Sequence, residues 1–152
     1  MEMDASLSAE KIRELAKALD DAIERANVEE ILAYFSDDCQ IHLPAISLSA
    51  HEGLRRAISW MYRYLKEIVL VPTVIIIQGN LFFEEFIVKA KVDGRSIELK
   101  QAEVLEYDID YKVKSIRLYF DRLQLAQAVS SNFIDQIIIK RINRAFLKGL
   151  SE

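Results

Sequence analysis

The chain has 152 residues, 51% hydrophobic and 29% charged, with four Gly and two Pro, which excludes a disordered, collagen-like or linker-dominated protein. Its net charge of −4 argues against a general nucleic-acid binder, which needs a basic surplus to neutralise phosphates. One cysteine, Cys39, and two histidines supply neither an internal disulfide nor a zinc constellation, so no metal and no cofactor are expected.

From Ser8 to Ala26, Ile12, Leu15, Ala16, Leu19, Ala22 and Ile23 recur every three or four residues, as on one face of an amphipathic helix. Asn27 with Glu30 forms a capping-box pattern that opens a short second helix through Phe35, and Asp37-Asp38 ends it. Cys39–Leu43 alternates as a short strand closed by Pro44. Ser49 and Glu52 make another capping pattern, opening a third helix with Leu54, Ile58, Met61 and Leu65 on one side. The segments Ile68–Gln78, Leu81–Val92, Ser96–Tyr107 and Lys112–Phe120 read as strands. Gly79-Asn80, the strong hairpin signal Asp93-Gly94, and Asp108–Tyr111 join them. Asp121 and Gln124 cap a further helix, and a last one runs from Phe133 to about Lys148. Neither apolar run, Ile68–Val71 or Val74–Ile77, is long enough to span a membrane, and no secretory signal opens the chain, so a cytoplasmic protein is expected. The fold predicted is α+β: a cone-shaped, curved antiparallel sheet packed with three N-terminal helices, plus an extra C-terminal helix. Residues 1–130 are expected to form the cone and residues 131–152 the amphipathic appendage.

This element order, with the second helix running into Phe35-Ser36-Asp37-Asp38, resembles the nuclear-transport-factor-2-like superfamily over about residues 8–129. Ile116–Leu123 is similar to the last strand of SnoaL-like polyketide cyclases and limonene epoxide hydrolase. Asp93–Phe120 also lines up without gaps against bacterial ketosteroid isomerases. The resemblance implies a ligand-holding cone, and it implies which catalytic positions are kept. The isomerase general base falls on Leu43 and the oxyanion-hole tyrosine on Leu19, while the partner acid falls on Glu103, which keeps a carboxyl group. In the hydrolase comparison the water-orienting aspartate falls on Leu118, and its Arg and Asp on an earlier strand correspond to Lys89 and Lys91. Both catalytic sets are incomplete, so neither activity carries over and enzymatic activity is left open.

Period-2 parity points to the same residue independently. Ile97, Leu99, Leu105 and Tyr107 share a strand face with Gln101 and Glu103, and burying a carboxylate there is costly unless it is satisfied. Three readings stand: a β-bulge near Lys100 that turns Glu103 to solvent, an inward but structurally paired Glu103, or a cavity acid with a raised pKa and Gln101 orienting a ligand carbonyl. The expected pocket is lined by Ile41, Leu43, Leu54, Ile58, Phe86, Val88, Leu99, Leu118 and Phe120, with Trp60 as a stacking candidate. Two functions compete: binding of a small hydrophobic or carbonyl-bearing ligand, with or without acid/base chemistry, and a non-catalytic dimeric interaction module. A homodimer through the outer sheet face is expected. Lys140, Arg141, Arg144 and Lys148 make the last helix basic, and docking of that helix is preferred to an interfacial membrane role.

Overall fold

The computed structural model describes residues 6–151. Chain order is α1 (Ala9–Glu24), α2 (Val28–Ala33), β1 (Phe35–Leu43), β2 (Ile46–Ser49), α3 (Ala50–Tyr64), β3 (Lys66–Gln78), β4 (Leu81–Val92), β5 (Arg95–Tyr107), β6 (Val113–Phe120), α4 (Arg122–Val129) and α5 (Phe133–Ser151). Among the described residues the strands form one curved, open sheet in the order β2-β1-β6-β5-β4-β3. The fold is the expected α+β cone with one difference of direction: β1 pairs parallel to β6, while every other neighbour is antiparallel.

Local chemistry explains the boundaries. Ser8 accepts from the Lys11 amide at the start of α1, and Asn27 accepts from the Glu30 amide while its own amide donates to the Glu30 carboxylate. The expected cap at Ser49 does not form; Ala50 at φ 62° turns the chain into α3 instead. β1 is longer than the alternation suggests and runs through Asp37-Asp38, whose side chains lie exposed between buried Phe35 and Cys39. The short β2 at the sheet edge alternates Ile46, Ser47, Leu48 and Ser49, but four residues, three of them exposed, are too few to read as a strand by pattern alone. Asp93 and Gly94, at φ 49° and 77°, make the tight turn between β4 and β5 that only a residue pair tolerant of positive φ can make. Pro72 is accommodated because β3 is an edge strand whose register shifts between Pro72 and Val74.

The three N-terminal helices cover the inner face of the sheet. Ile12, Ala16, Leu19 and Ala22 of α1, Ile31 and Leu32 of α2, and Leu54 and Ile58 of α3 bury against Phe35, Ile41, Phe82, Leu105 and Val113. Two polar ties fix α1: the Tyr62 hydroxyl donates to the Ile23 carbonyl at 2.6 Å, and the Leu70 amide donates to Glu24 at 2.7 Å. Met1–Phe120 forms one compact unit and Asp121–Glu152 a second. In the second, Asp121 caps α4 through the Leu123 and Gln124 amides, and Gln136 of α5 donates to the Gln127 and Ser130 carbonyls, each at 2.9 Å. No described helix is long and apolar enough to cross a membrane.

Candidate functional site: a buried carboxyl cluster

The inner face of the sheet reads as rows of cross-strand neighbours. Phe82, Leu105, Ile116 and Ile41 form one row, and Phe86, Gln101 and Phe120 form another. Between them lies Glu84–Glu103–Leu118, with Ile75 beside Glu84. The β4–β5 register runs without a shift from Leu81–Glu106 to Val92–Arg95, so no bulge occurs near Lys100 and Glu103 stays on the buried face. The irregularity in this part of the sheet falls lower, between Glu106 and Tyr107 on the β6 side.

Glu84 is 2% exposed and Glu103 8%. Directly opposed like charges destabilise a strand pair. A third carboxyl joins them from α1, since Asp20 follows buried Leu19 and half-buries on the flank of the apolar stripe. Ligand oxygens of Asp20, Glu84 and Glu103 all lie within 4.8 Å of one another. Among the described residues no lysine, arginine or histidine pairs with any of the three; Lys17, whose charge reaches Asp20, is held by Asp21 at 3.0 Å.

Such a cluster keeps its protons. Burial, then the neighbouring Glu84, raises Asp20 to about 8. Burial raises Glu84 to about 7, and burial followed by the charges of Asp20 and Glu84 holds Glu103 well above the ordinary carboxyl range. Tyr107 shares the Glu103 strand face, is 2% exposed, and its hydroxyl finds no hydrogen-bond partner. Burial, and then the charges of Glu103, Asp20 and Glu84, push that phenol upward as well. At neutral pH the site therefore holds carboxylic acids able to donate, beside a Glu84 carboxyl that is partly ionised and able to accept. The three oxygens could also hold a cation, a possibility that sequence spacing does not reveal because the ligands come from α1, β4 and β5.

The other residues singled out in the sequence divide into groups. Ile41, Leu54 and Ile58 belong to the main core, with Leu43 packed against it. Phe86, Val88 and Leu99 are buried further along the inner face; Gln101, Leu118 and Phe120 are half-buried there. Trp60 stands apart on α3, 44% exposed, with its ring 5.1 Å from that of Tyr64. Asp20 and Glu84 were not singled out. Glu84 carried a signal, since it interrupts Phe82, Phe86, Val88 and Ala90 as Glu103 interrupts β5. Asp20 carried none, because an acid flanking a helix stripe looks solvated.

The profile of the SnoaL-like domain matches residues 16–116, two-thirds of the chain. The chain belongs to the SnoaL-like family. The matched span contains all three carboxyls of the cluster. An NTF2-like protein of unknown function from Burkholderia pseudomallei is similar at TM-score 0.73 and 16% identity, over 79% of this chain and 98% of that one. A SnoaL-like polyketide cyclase assigned in Shewanella denitrificans is similar at TM-score 0.68 and 10% identity, over 77% and 95%. An epoxide hydrolase/cyclase-like enzyme described in pyran ring formation of the polyether salinomycin is similar at TM-score 0.68 and 11% identity, over 76% and 94%. These likenesses establish the fold. No curated protein matches the chain in sequence.

Proposed function

We propose that this SnoaL-like protein binds a small, largely apolar ligand against the inner face of its sheet and exchanges a proton with it through the Asp20–Glu84–Glu103 cluster. The convergence of three carboxyl oxygens within 4.8 Å on an otherwise apolar face carries the reading. Glu103, held well above the ordinary carboxyl range by its burial, is the hydrogen-bond donor and general acid. Asp20, with a pKa of about 8, and Glu84, with one of about 7, stand near the operating pH and suit the return of the proton. Gln101, one row from Glu103 on the same face, is placed to orient a carbonyl or hydroxyl of the ligand. The shared fold of a SnoaL-like polyketide cyclase and an epoxide hydrolase/cyclase-like enzyme supports chemistry on a small molecule.

The protein works as a cytoplasmic homodimer in this reading. The outer sheet face leaves Val69, Val74, Ile76 and Tyr119 between 40% and 56% exposed, with half-buried Phe83 and Ile87 between them. Exposed apolar side chains of that number, interleaved with Glu85 and Lys89, favour burial against a second copy. The same face also favours the competing reading, a non-catalytic dimeric interaction module. Proton exchange separates the two. In D2O, the wild-type protein should catalyse deuterium incorporation beside the carbonyl of at least one ketone in a hydrophobic panel, and E103Q should slow it by about 10²–10⁴. Exchange that is absent across the panel, or unchanged in E103Q, rejects the acid/base reading in favour of the interaction module.

A further inference from the structure

The cluster has a chemical preference that a neutral ligand leaves unused. Its acids converge from three elements, they have no basic partner among the described residues, and an unpartnered, fully enclosed tyrosine hydroxyl shares their strand face. An ammonium nitrogen donating three hydrogen bonds of about 2.8–2.9 Å in tetrahedral directions sets its acceptors about 4.6–4.7 Å apart. The cluster's oxygens, all within 4.8 Å of one another, are close enough to share one such nitrogen. From the convergence of Asp20, Glu84 and Glu103 on the buried face that also carries the unpartnered Tyr107 hydroxyl, we propose that the ligand of this site bears a basic nitrogen and is held as its ammonium ion. The inference rests on the small-molecule reading above and names the ligand class.

The electrostatics agree. Without a cation, each carboxylate formed repels the next, and the groups surrounding Asp20 add to this: Glu24 and Asp21 raise it further, with only Lys17 opposing. A bound ammonium turns that repulsion into attraction and replaces weak neutral contacts by charge-assisted hydrogen bonds. The proton balance is simple. An ammonium ion entering from water takes the place of a carboxyl proton, which leaves to solvent, so the site exchanges one positive charge for another. Phe86 and Leu118, in and beside the Glu103 row, supply apolar surface for the rest of the molecule.

The test is calorimetric titration of the full chain at pH 6.5 with benzylamine, its neutral isostere benzyl alcohol, acetophenone, and magnesium or manganese chloride alone. Benzylamine should bind at least roughly tenfold tighter than benzyl alcohol, the margin between charge-assisted and neutral hydrogen bonds. Repeating the titration in buffers of different ionisation enthalpy should show proton release with benzylamine and none with the alcohol. E84Q and E103Q should each erase the preference, whereas Y107F, which keeps the three carboxyls, should weaken it only partly. A circular-dichroism melt confirms that each variant is folded; if a Gln variant is not, the proton-release measurement on the wild-type protein decides alone. Equal affinity for amine and alcohol, or amine binding without proton release, overturns the inference. So does binding of the metal ions alone. If acetophenone binds and depends on Glu103 while benzylamine shows no advantage, the amine inference fails and the proposed function stands. If neither binds, both fail.

Discussion

At the scale of single residues the molecule is unusual in holding Glu84 and Glu103 face to face on a buried strand pair, with Asp20 above them. The pH dependence of stability follows from their direction of shift. Below pH about 4 both folded and unfolded chains hold these protons. As pH rises the unfolded chain loses its protons first, whereas folded Glu84 and Asp20 keep theirs to about 7 and about 8. The folded state thus binds more protons across that window, and stability falls with rising pH. The melting temperature should decline between pH 5 and 8.5. E84Q, which cannot ionise, should flatten the decline and melt roughly 3–6 °C above the wild-type protein at pH 8.5 while changing little at pH 4.5. A melting temperature that rises over the window would mean that the cluster is ionised and paired. At the same scale, the resemblance read from the sequence implies that Leu43 and Leu118 fall where ketosteroid isomerases and limonene epoxide hydrolase carry carboxylates. Turnover of a Δ5-ketosteroid and hydrolysis of limonene epoxide should both be absent or about 10²–10⁴ below what a positioned base supplies. Robust turnover of either in a coupled or chromatographic assay would show that the correspondence of positions is wrong.

At the scale of elements, stability concentrates where the helices meet the inner face. Phe82 is 2% exposed and lies in the row that α1 and α3 cover. Phe82→Ala should cost about 3–5 kcal/mol in a denaturant melt, through lost transfer energy and the cavity left behind. A cost under 1 kcal/mol would show that the row is not tightly packed. Helix α5 is built differently. Ile134, Ile138, Ile142 and Phe146 are between 46% and 66% exposed, with Lys140, Arg141, Arg144 and Lys148 around the same helix. The sequence expectation is that this helix docks. Deleting residues 131–152 should therefore lower the melting temperature or change the oligomeric state in light scattering. If neither changes while the intact chain floats with anionic liposomes, the helix is an interfacial membrane element.

For the whole molecule, the outer sheet face decides between monomer and dimer. Light scattering at micromolar concentration should return twice the chain mass, and placing charge on the apolar outer face with I76E should shift the population towards monomer by at least tenfold in dissociation constant. A wild-type monomer at that concentration rejects the homodimer, with the melting temperature of I76E serving as the check on folding.

The order of elements was legible in the sequence because it depends on local quantities: the 3.6-residue stripe of α1, the alternation of β4 and β5, and the positive-φ tolerance of Asp93-Gly94. Glu103 was legible for the same reason, since it breaks the alternation of β5, and Glu84 carried the same signal in β4 without being singled out. Other features were decided only by tertiary structure. The exposed β2 alternates Ile and Leu with Ser over only four residues, too short a run to mark a strand, and exists because β1 offers it an edge. The parallel pairing of β1 with β6 joins segments more than seventy residues apart. Whether Glu103 faced inward depended on the register of β4 against β5, because a single slip would have turned every side chain of the strand over. Asp20 entered the site because α1 packs over β3 and β4 and brings its carboxyl to Glu84 and Glu103, which no spacing along the helix records. Alternation is a property of one strand, but proximity between charges is a property of packing, and the chemistry of this protein lies in the second.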